Sequence, residues 1–159
     1  MAKLSAGLMM YRIRGGRVEL LLVHPGGPFW NKKDAGAWSI PKGEISAEED
    51  ELEAARREFF EETGVLPKGE FRLLGEIVQK GGKVVRAWAF EGDYAPATLK
   101  SNTFTMEWPP RSGKQQEFPE IDRAAFFTPE EARKRINPAQ AKFIDALELM
   151  TAERTRETD

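Results

Sequence analysis

The chain of 159 residues contains no cysteine. That absence excludes disulfide frameworks, thiolate zinc sites and cysteine nucleophiles. It suits a reducing compartment, and a cytoplasmic protein is expected. There is one histidine, His24, at the end of an apolar run with no partner cluster around it, so a structural role is expected for it. Long apolar runs are missing as well, and no segment approaches the length of a membrane span. The start, "MAKLSAGLMMYRIRGG", is apolar only briefly before charge enters, which does not read as a signal peptide. A formal net charge of -2 argues against a broad basic surface for nucleic acid. Neither a membrane nor a stable nucleic-acid partner is expected, and nothing in the sequence specifies an oligomer.

What is there reads as one α+β domain over residues 1–152, large enough to bury a real core. "AGLMMYRI" and "VELLLVHP" flank the turn "RGG" and predict a strand hairpin. "HPGGPFWNKKDAGAW" is too polar and broken for regular structure. "WSIPKGE" predicts a short strand, and "GEFRLLGEIVQ" and "KVVRAWAFEGD" two more around "KGGK". "SNTFTMEW" reads as a strand, "PPRSGKQQEFPE" as a long loop and "IDRAAFFTP" as a last strand. "TPEEARKRI" opens a helix capped by Thr128, and "PAQAKFIDALELM" forms the final one, with Ala141, Ile144, Leu147 and Leu149 inward. The charged segment 153–159 is expected to fray beyond the domain. The order of elements implies a mixed sheet covered by helices.

Residues 43–65, "GEISAEEDELEAARREFFEETGV", crowd together Glu44, Glu48, Glu49, Asp50, Glu51, Glu53, Glu58, Glu61 and Glu62, opposed only by Arg56 and Arg57. A helix is expected here, with Ser46 and Glu49 as a capping box, Gly64 as the left-handed stop, and Leu52, Ala55 and Phe59 as the docking stripe. The early acids favour a helix start, and Glu53 can pair with Arg57. Glu58, Glu61 and Glu62 are different. Glu58 and Glu62 lie about 40° apart around the helix, with Glu61 close by. Like charges at this spacing repel, and the helix dipole is negative at this end. A bound hard cation reverses each of those penalties.

The spacing Gly43, five residues, Glu49, seven residues, then Arg57-Glu58-Phe59-x-Glu61-Glu62-x-Gly64-Val65 resembles the signature of the Nudix hydrolases at every fixed position. The resemblance implies an α/β/α sandwich and hydrolysis of a nucleoside diphosphate linked to another group, with Mg²⁺ (or Mn²⁺) on the helix carboxylates. Carried over by position, Glu58, Glu61 and Glu62 are similar to the metal ligands, and Gly43 to the residue whose carbonyl approaches the metal. Arg57 and Glu49 match residues that hold the carboxylates and the loop in place. A carboxylate must also take a proton from the attacking water. "PEID" before an aromatic strand resembles the loop of RNA 5′-pyrophosphohydrolases and dinucleoside-polyphosphate hydrolases. That likeness makes Glu120 the first candidate for base or additional ligand, and Glu117 the second.

"PKG" before the box is similar to diadenosine-tetraphosphate and diphosphoinositol-polyphosphate hydrolases, and makes Lys42 a candidate phosphate contact. Arg111 and Lys114 are candidates for gripping distal phosphates, with Lys80, Lys83 and Arg86 adding positive charge nearby. Phe29, Trp30 and Trp108 are available to stack on a base, whereas Trp38 and Trp88 are expected to pack. The tyrosine that diadenosine-polyphosphate hydrolases carry after the box is replaced by "KGGKV", and the proline of ADP-ribose hydrolases is missing. The expected substrate is a dinucleoside polyphosphate or (d)NTP, with an RNA 5′ end a further possibility. The rival readings are a nucleotide sensor on the same fold that does not cleave, and an unrelated protein with an acidic, cation-stabilised helix.

Overall fold

The structure, a computed structural model, describes residues 4–157, without the side chains of Ala97 and residues 153–157. Strands β1 (Leu4–Arg14) and β2 (Arg17–Pro25) form an antiparallel hairpin with Tyr11 opposite Leu20. Its turn is made by Gly15 and Gly16, at φ 56° and 77°. Both strands are apolar through the middle because both faces are covered. Met9, Tyr11, Leu20 and Leu22 pack on one side, and Leu8, Met10, Leu21 and Val23 on the other. This split follows from the period-two alternation of side chains along a strand.

Around that hairpin stand β3 (Lys42–Glu44), β4 (Arg72–Val78), β5 (Val84–Glu91) and β8 (Ile121–Phe127), in the order β4-β5-β1-β2-β8, with β3 paired to β1. The β1–β5 pair is parallel and the others antiparallel, so the sheet is mixed. Helix α1 (Glu51–Thr63) covers one face through Ala54, Ala55 and Phe59. Helices α2 (Pro129–Arg135) and α3 (Ala141–Glu157) cover the other through Ala132, Phe143, Ile144 and Leu147. The result is the expected α/β/α sandwich.

Three local expectations are corrected. Asp50, not Ser46, caps α1, its carboxylate accepting the Glu53 N–H at 3.2 Å. Ser46 instead closes a turn: its N–H donates to Glu49 Oε1 and its carbonyl accepts the Glu49 N–H, each at 3.1 Å. Glu48 at φ 66° breaks the helical path in between. The expected long loop after Trp108 contains β7 (Gln115–Pro119), which pairs with β6 (Thr103–Glu107) and sets Phe104 opposite Phe118. Leu149 is exposed, while Phe143 takes an inward place. The Gly64 stop, at φ 80°, and the Thr128 cap are as expected. The charged segment from residue 153 has helical backbone to Glu157, and 158–159 lie outside the described residues.

Gly7 lets β3 lie close to β1. It pairs with Lys42, and a Cβ on Gly7 would stand 2.8 Å from the Pro41 carbonyl oxygen and the Lys42 Cβ. Gly7→Ala is therefore expected to lower stability by about 1–3 kcal/mol through overpacking. Urea unfolding checks this, and an unchanged midpoint would mean that β3 yields freely.

Candidate active site

Strand β3 and helix α1 meet at Gly43. A Cβ on Gly43 would fall 2.0 Å from the carboxyl carbon of Glu58, so only glycine lets that side chain lie against the strand. One turn on, Glu62 is buried, and its Oε2 accepts the Lys42 N–H at 2.8 Å. Burial is the main reason its pKa is pushed up to about 8; Lys42 opposes the shift, and Glu58 and Glu120 add to it. Burial also raises Glu58, against the pull of Arg57, with Glu61 and Glu120 adding repulsion.

Arg57 makes this crowding tolerable. Its Nε and Nη2 donate to the two oxygens of Glu49 at 2.8 and 3.0 Å. Its Nη1 donates to Glu58 at 2.9 Å and to Glu61 at 3.2 Å, and Nη2 also reaches the Glu44 carbonyl at 3.2 Å. Glu49, held by Arg57 and by the Ser46 N–H, has its pKa lowered to about 2. The expected Glu53–Arg57 pair is not formed. Arg56 takes Glu53 at 2.9 Å, leaving Arg57 for the site. Arg86 is also occupied, bridging Glu51 on α1 and Glu76 on β4.

Glu120 comes from far along the chain by a backbone relay. The Asn102 N–H donates to the Glu61 carbonyl at 3.0 Å, and the Glu120 N–H donates to the Asn102 carbonyl at 2.8 Å. The Glu120 carbonyl in turn accepts the Gly26 N–H at 2.8 Å. Glu120 thus lines a cleft of about 310 Å³ with Glu62, Lys42 and Trp30. Lys42 is half-buried, and both burial and neighbouring Lys83 lower its pKa. His24 is fully buried between Asp122 at 2.7 Å and the Lys33 carbonyl at 2.6 Å, bracing the loop that carries Trp30.

Other expected residues are not brought to this cleft. Glu117 is exposed on β7 opposite Thr105. Arg111 and Lys114 are exposed in the turn of the β6–β7 hairpin, with the Arg111 N–H held by Glu107 at 2.7 Å. Pairing of β6 with β7 directs these residues along a hairpin rather than a loop over the carboxylates. Exposed Phe29 and half-buried Trp108 form an edge-to-face pair 5.6 Å apart. Trp38 is buried and Trp88 packs under α1, as expected. The sequence reading missed Gln79, Asn137 and Gln140, which also line the cleft. The only local hint was a glutamine at the head of an apolar helix.

The NUDIX domain family profile matches residues 1–147, and the chain belongs to that family. Its class is that of hydrolases acting on pyrophosphate linkages. No curated protein sequence matches the chain. Among solved structures, Ap4A hydrolase of C. elegans is similar at 21% identity and TM-score 0.66, over 94% of this chain and 98% of that one. The MutT protein of Methanosarcina mazei is similar at 19% identity and TM-score 0.60, over 94% of each chain. The NUDIX domain of Shewanella oneidensis NrtR, complexed with ADP ribose, is similar at 16% identity and TM-score 0.57, over 98% of this chain and 88% of that one. These likenesses are of fold.

A carboxyl with a raised pKa binds more protons folded than unfolded across the interval between the two values. For Glu62 that interval runs from 4.5 to about 8, so its contribution to stability falls as pH rises through it. Metal-free protein in EDTA is expected to melt at lower temperature at pH 8.5 than at pH 5.5. Glu62→Gln is expected to flatten that dependence, and an unflattened profile in thermal melts would place the titration elsewhere.

Proposed function

We propose that this chain is a Mg²⁺-dependent pyrophosphohydrolase acting on a nucleoside diphosphate linked to another group, a dinucleoside polyphosphate or a (d)NTP. The observation that carries this reading is the convergence of Glu58, Glu62 and Glu120, from two distant parts of the chain, beside Gly43 and a cleft walled by Trp30. A buried Glu62 and a half-buried Glu58, both with raised pKa and both facing the exposed Glu120, are unfavourable together unless a cation or protons neutralise them. The neighbours from C. elegans and Shewanella oneidensis, named for Ap4A and solved with ADP ribose, agree with a nucleotide ligand.

The donors fit a hard divalent cation, because Glu58, Glu61, Glu62, Glu120 and the Gly43 carbonyl are all oxygen ligands. Among the described residues no three acidic or imidazole side chains already form a ligand set. Arg57 draws Glu58 and Glu61 to itself instead. Metal loading in this reading therefore requires Glu58 and Glu61 to share or leave the guanidinium. When bound, the metal neutralises pyrophosphate charge and acidifies the attacking water.

The protein's own groups do the rest. Arg57, anchored on Glu49, sets the positions of Glu58 and Glu61. The Lys42 N–H holds Glu62, and the Lys42 ammonium faces the phosphate end of the ligand. Trp30 offers a flat apolar wall to a base. Glu120 is the base that takes the proton from water, its backbone pinned at both N–H and carbonyl. Glu117, exposed on β7, is the weaker candidate for that role.

Incubation with Mg²⁺ and a panel of (d)NTPs, dinucleoside polyphosphates, ADP-ribose, nucleotide sugars, diphosphoinositol phosphates and triphosphorylated RNA tests the activity by phosphate release. Tight nucleotide binding without turnover of any member would favour the sensor reading. Glu120→Gln is expected to lower kcat by about 10²–10⁴ while leaving the melting temperature in place. Near-normal turnover in that variant would remove Glu120 from the chemistry.

A further inference from the structure

The cleft beside Glu62 has a second wall with a different chemistry. Gln140 is fully buried at the foot of α3, and its neighbours fix which end of its amide is which. The Ile40 N–H can only donate, and it lies 3.1 Å from Gln140 Oε1, so that end is the oxygen. Gln140 Nε2 then donates to Ser39 Oγ at 3.0 Å and to Gln79 Oε1 at 2.9 Å. Ser39 Oγ has its own proton committed to the Ile40 carbonyl at 2.7 Å. Gln79 therefore receives Gln140 through its oxygen, and its NH₂ group is left over. Turning either amide over would set donor against donor.

Asn137 reaches the same state by another route. Its Oδ1 accepts the Ala139 N–H at 3.0 Å, which leaves its NH₂ free as well. Neither NH₂ has a protein partner among the described residues, and both side chains line the cleft that holds Trp30, Lys42 and Glu62. Two amide donors thus stand on a wall whose oxygens are turned inward. The carboxyl groups of Glu62 and Glu120 line the cleft together with Lys42, where the phosphate chemistry belongs.

A ligand group seated on that wall must bring acceptors, because a donor placed there leaves buried N–H groups unpaired. A 6-oxopurine carries the neighbouring acceptors O6 and N7, whereas adenine replaces the first by an amine, a donor. The cleft, about 310 Å³, is at the small end for ligand pockets and suits one base. We propose that Gln79 and Asn137 are specificity-determining residues that select a 6-oxopurine nucleotide over an adenine nucleotide. The base lies against Trp30, and the phosphates run toward Lys42, Glu62 and Glu120. This rests on the proposed function only in taking a nucleotide as the ligand.

Steady-state kinetics with Mg²⁺ on GTP against ATP, and on the matched dinucleoside tetraphosphates, test it. The wild type is expected to favour guanine in kcat/KM by about tenfold or more. Gln79→Glu and Asn137→Asp each retain the inward oxygen and exchange only the cleft-facing NH₂ for an acceptor. Each is expected to raise KM for the guanine substrate by about tenfold relative to the adenine one, with melting temperature retained. The added negative charge weakens both substrates alike, so the ratio is the readout. No guanine preference in the wild type, or an equal shift for both bases, would overturn the proposal and assign the amides to phosphate or to structure. Calorimetric binding of GMP and AMP separates the two claims. Guanine-selective binding without hydrolysis upholds this inference against the proposed activity, and turnover without selectivity does the reverse.

Discussion

One guanidinium holds this site together. Arg57 is shared by both oxygens of Glu49, by Glu58 and Glu61, and by the Glu44 carbonyl. Planar geometry and five donors let arginine serve so many acceptors at once, where a lysine would serve fewer and with less direction. Without it, the carboxylates on one turn of α1 would repel one another at the negative end of the helix dipole, whose last turn carries no basic residue. The same contacts tie the turn at residues 44–49 to the helix, so the position of Gly43 against Glu58 depends on them.

The other half of the site is held by backbone alone. The carbonyls left over at the end of α1 accept N–H groups from Lys100 and Asn102, and Asn102 passes the connection to Glu120. A helix end that must be satisfied in any case thereby becomes the clamp that carries a distant glutamate to the cleft. The amide side of the same cleft is built on similar logic. Gln140 is buried only because Ile40, Ser39 and Gln79 meet every one of its hydrogen-bonding needs, and meeting them orients Gln79.

Much of this was legible beforehand where the cause is local. The apolar runs of β1 and β2, the left-handed stop at Gly64 and the cap at Thr128 depend on neighbours within a few residues. The spacing of Gly43, Glu58 and Glu62 speaks of chemistry because it defies what a lone helix prefers. The start of α1 was misread by a few residues, because Ser46 and Glu49 form the hydrogen bond of a capping box around a turn, and Glu48 in the left-handed region postpones the helix to Asp50. The β6–β7 hairpin was missed because "PPRSGKQQEFPE" is polar and carries no clear alternation. Its pairing is supplied by Phe104 against Phe118 and by the partner strand itself.

The fold class, the acidic helix and the identity of its three awkward glutamates were determined by the sequence alone, through period, spacing and misplaced charge. Tertiary structure decided which of two loop acids joins them. Glu120 is drawn in by hydrogen bonds that start on α1, and Glu117, three residues earlier, is turned out along a hairpin. It also decided that two plain amides, Gln79 and Asn137, offer donors to the cleft. Their orientation follows from what lies behind them, and no pattern within a single segment records contacts made across the chain.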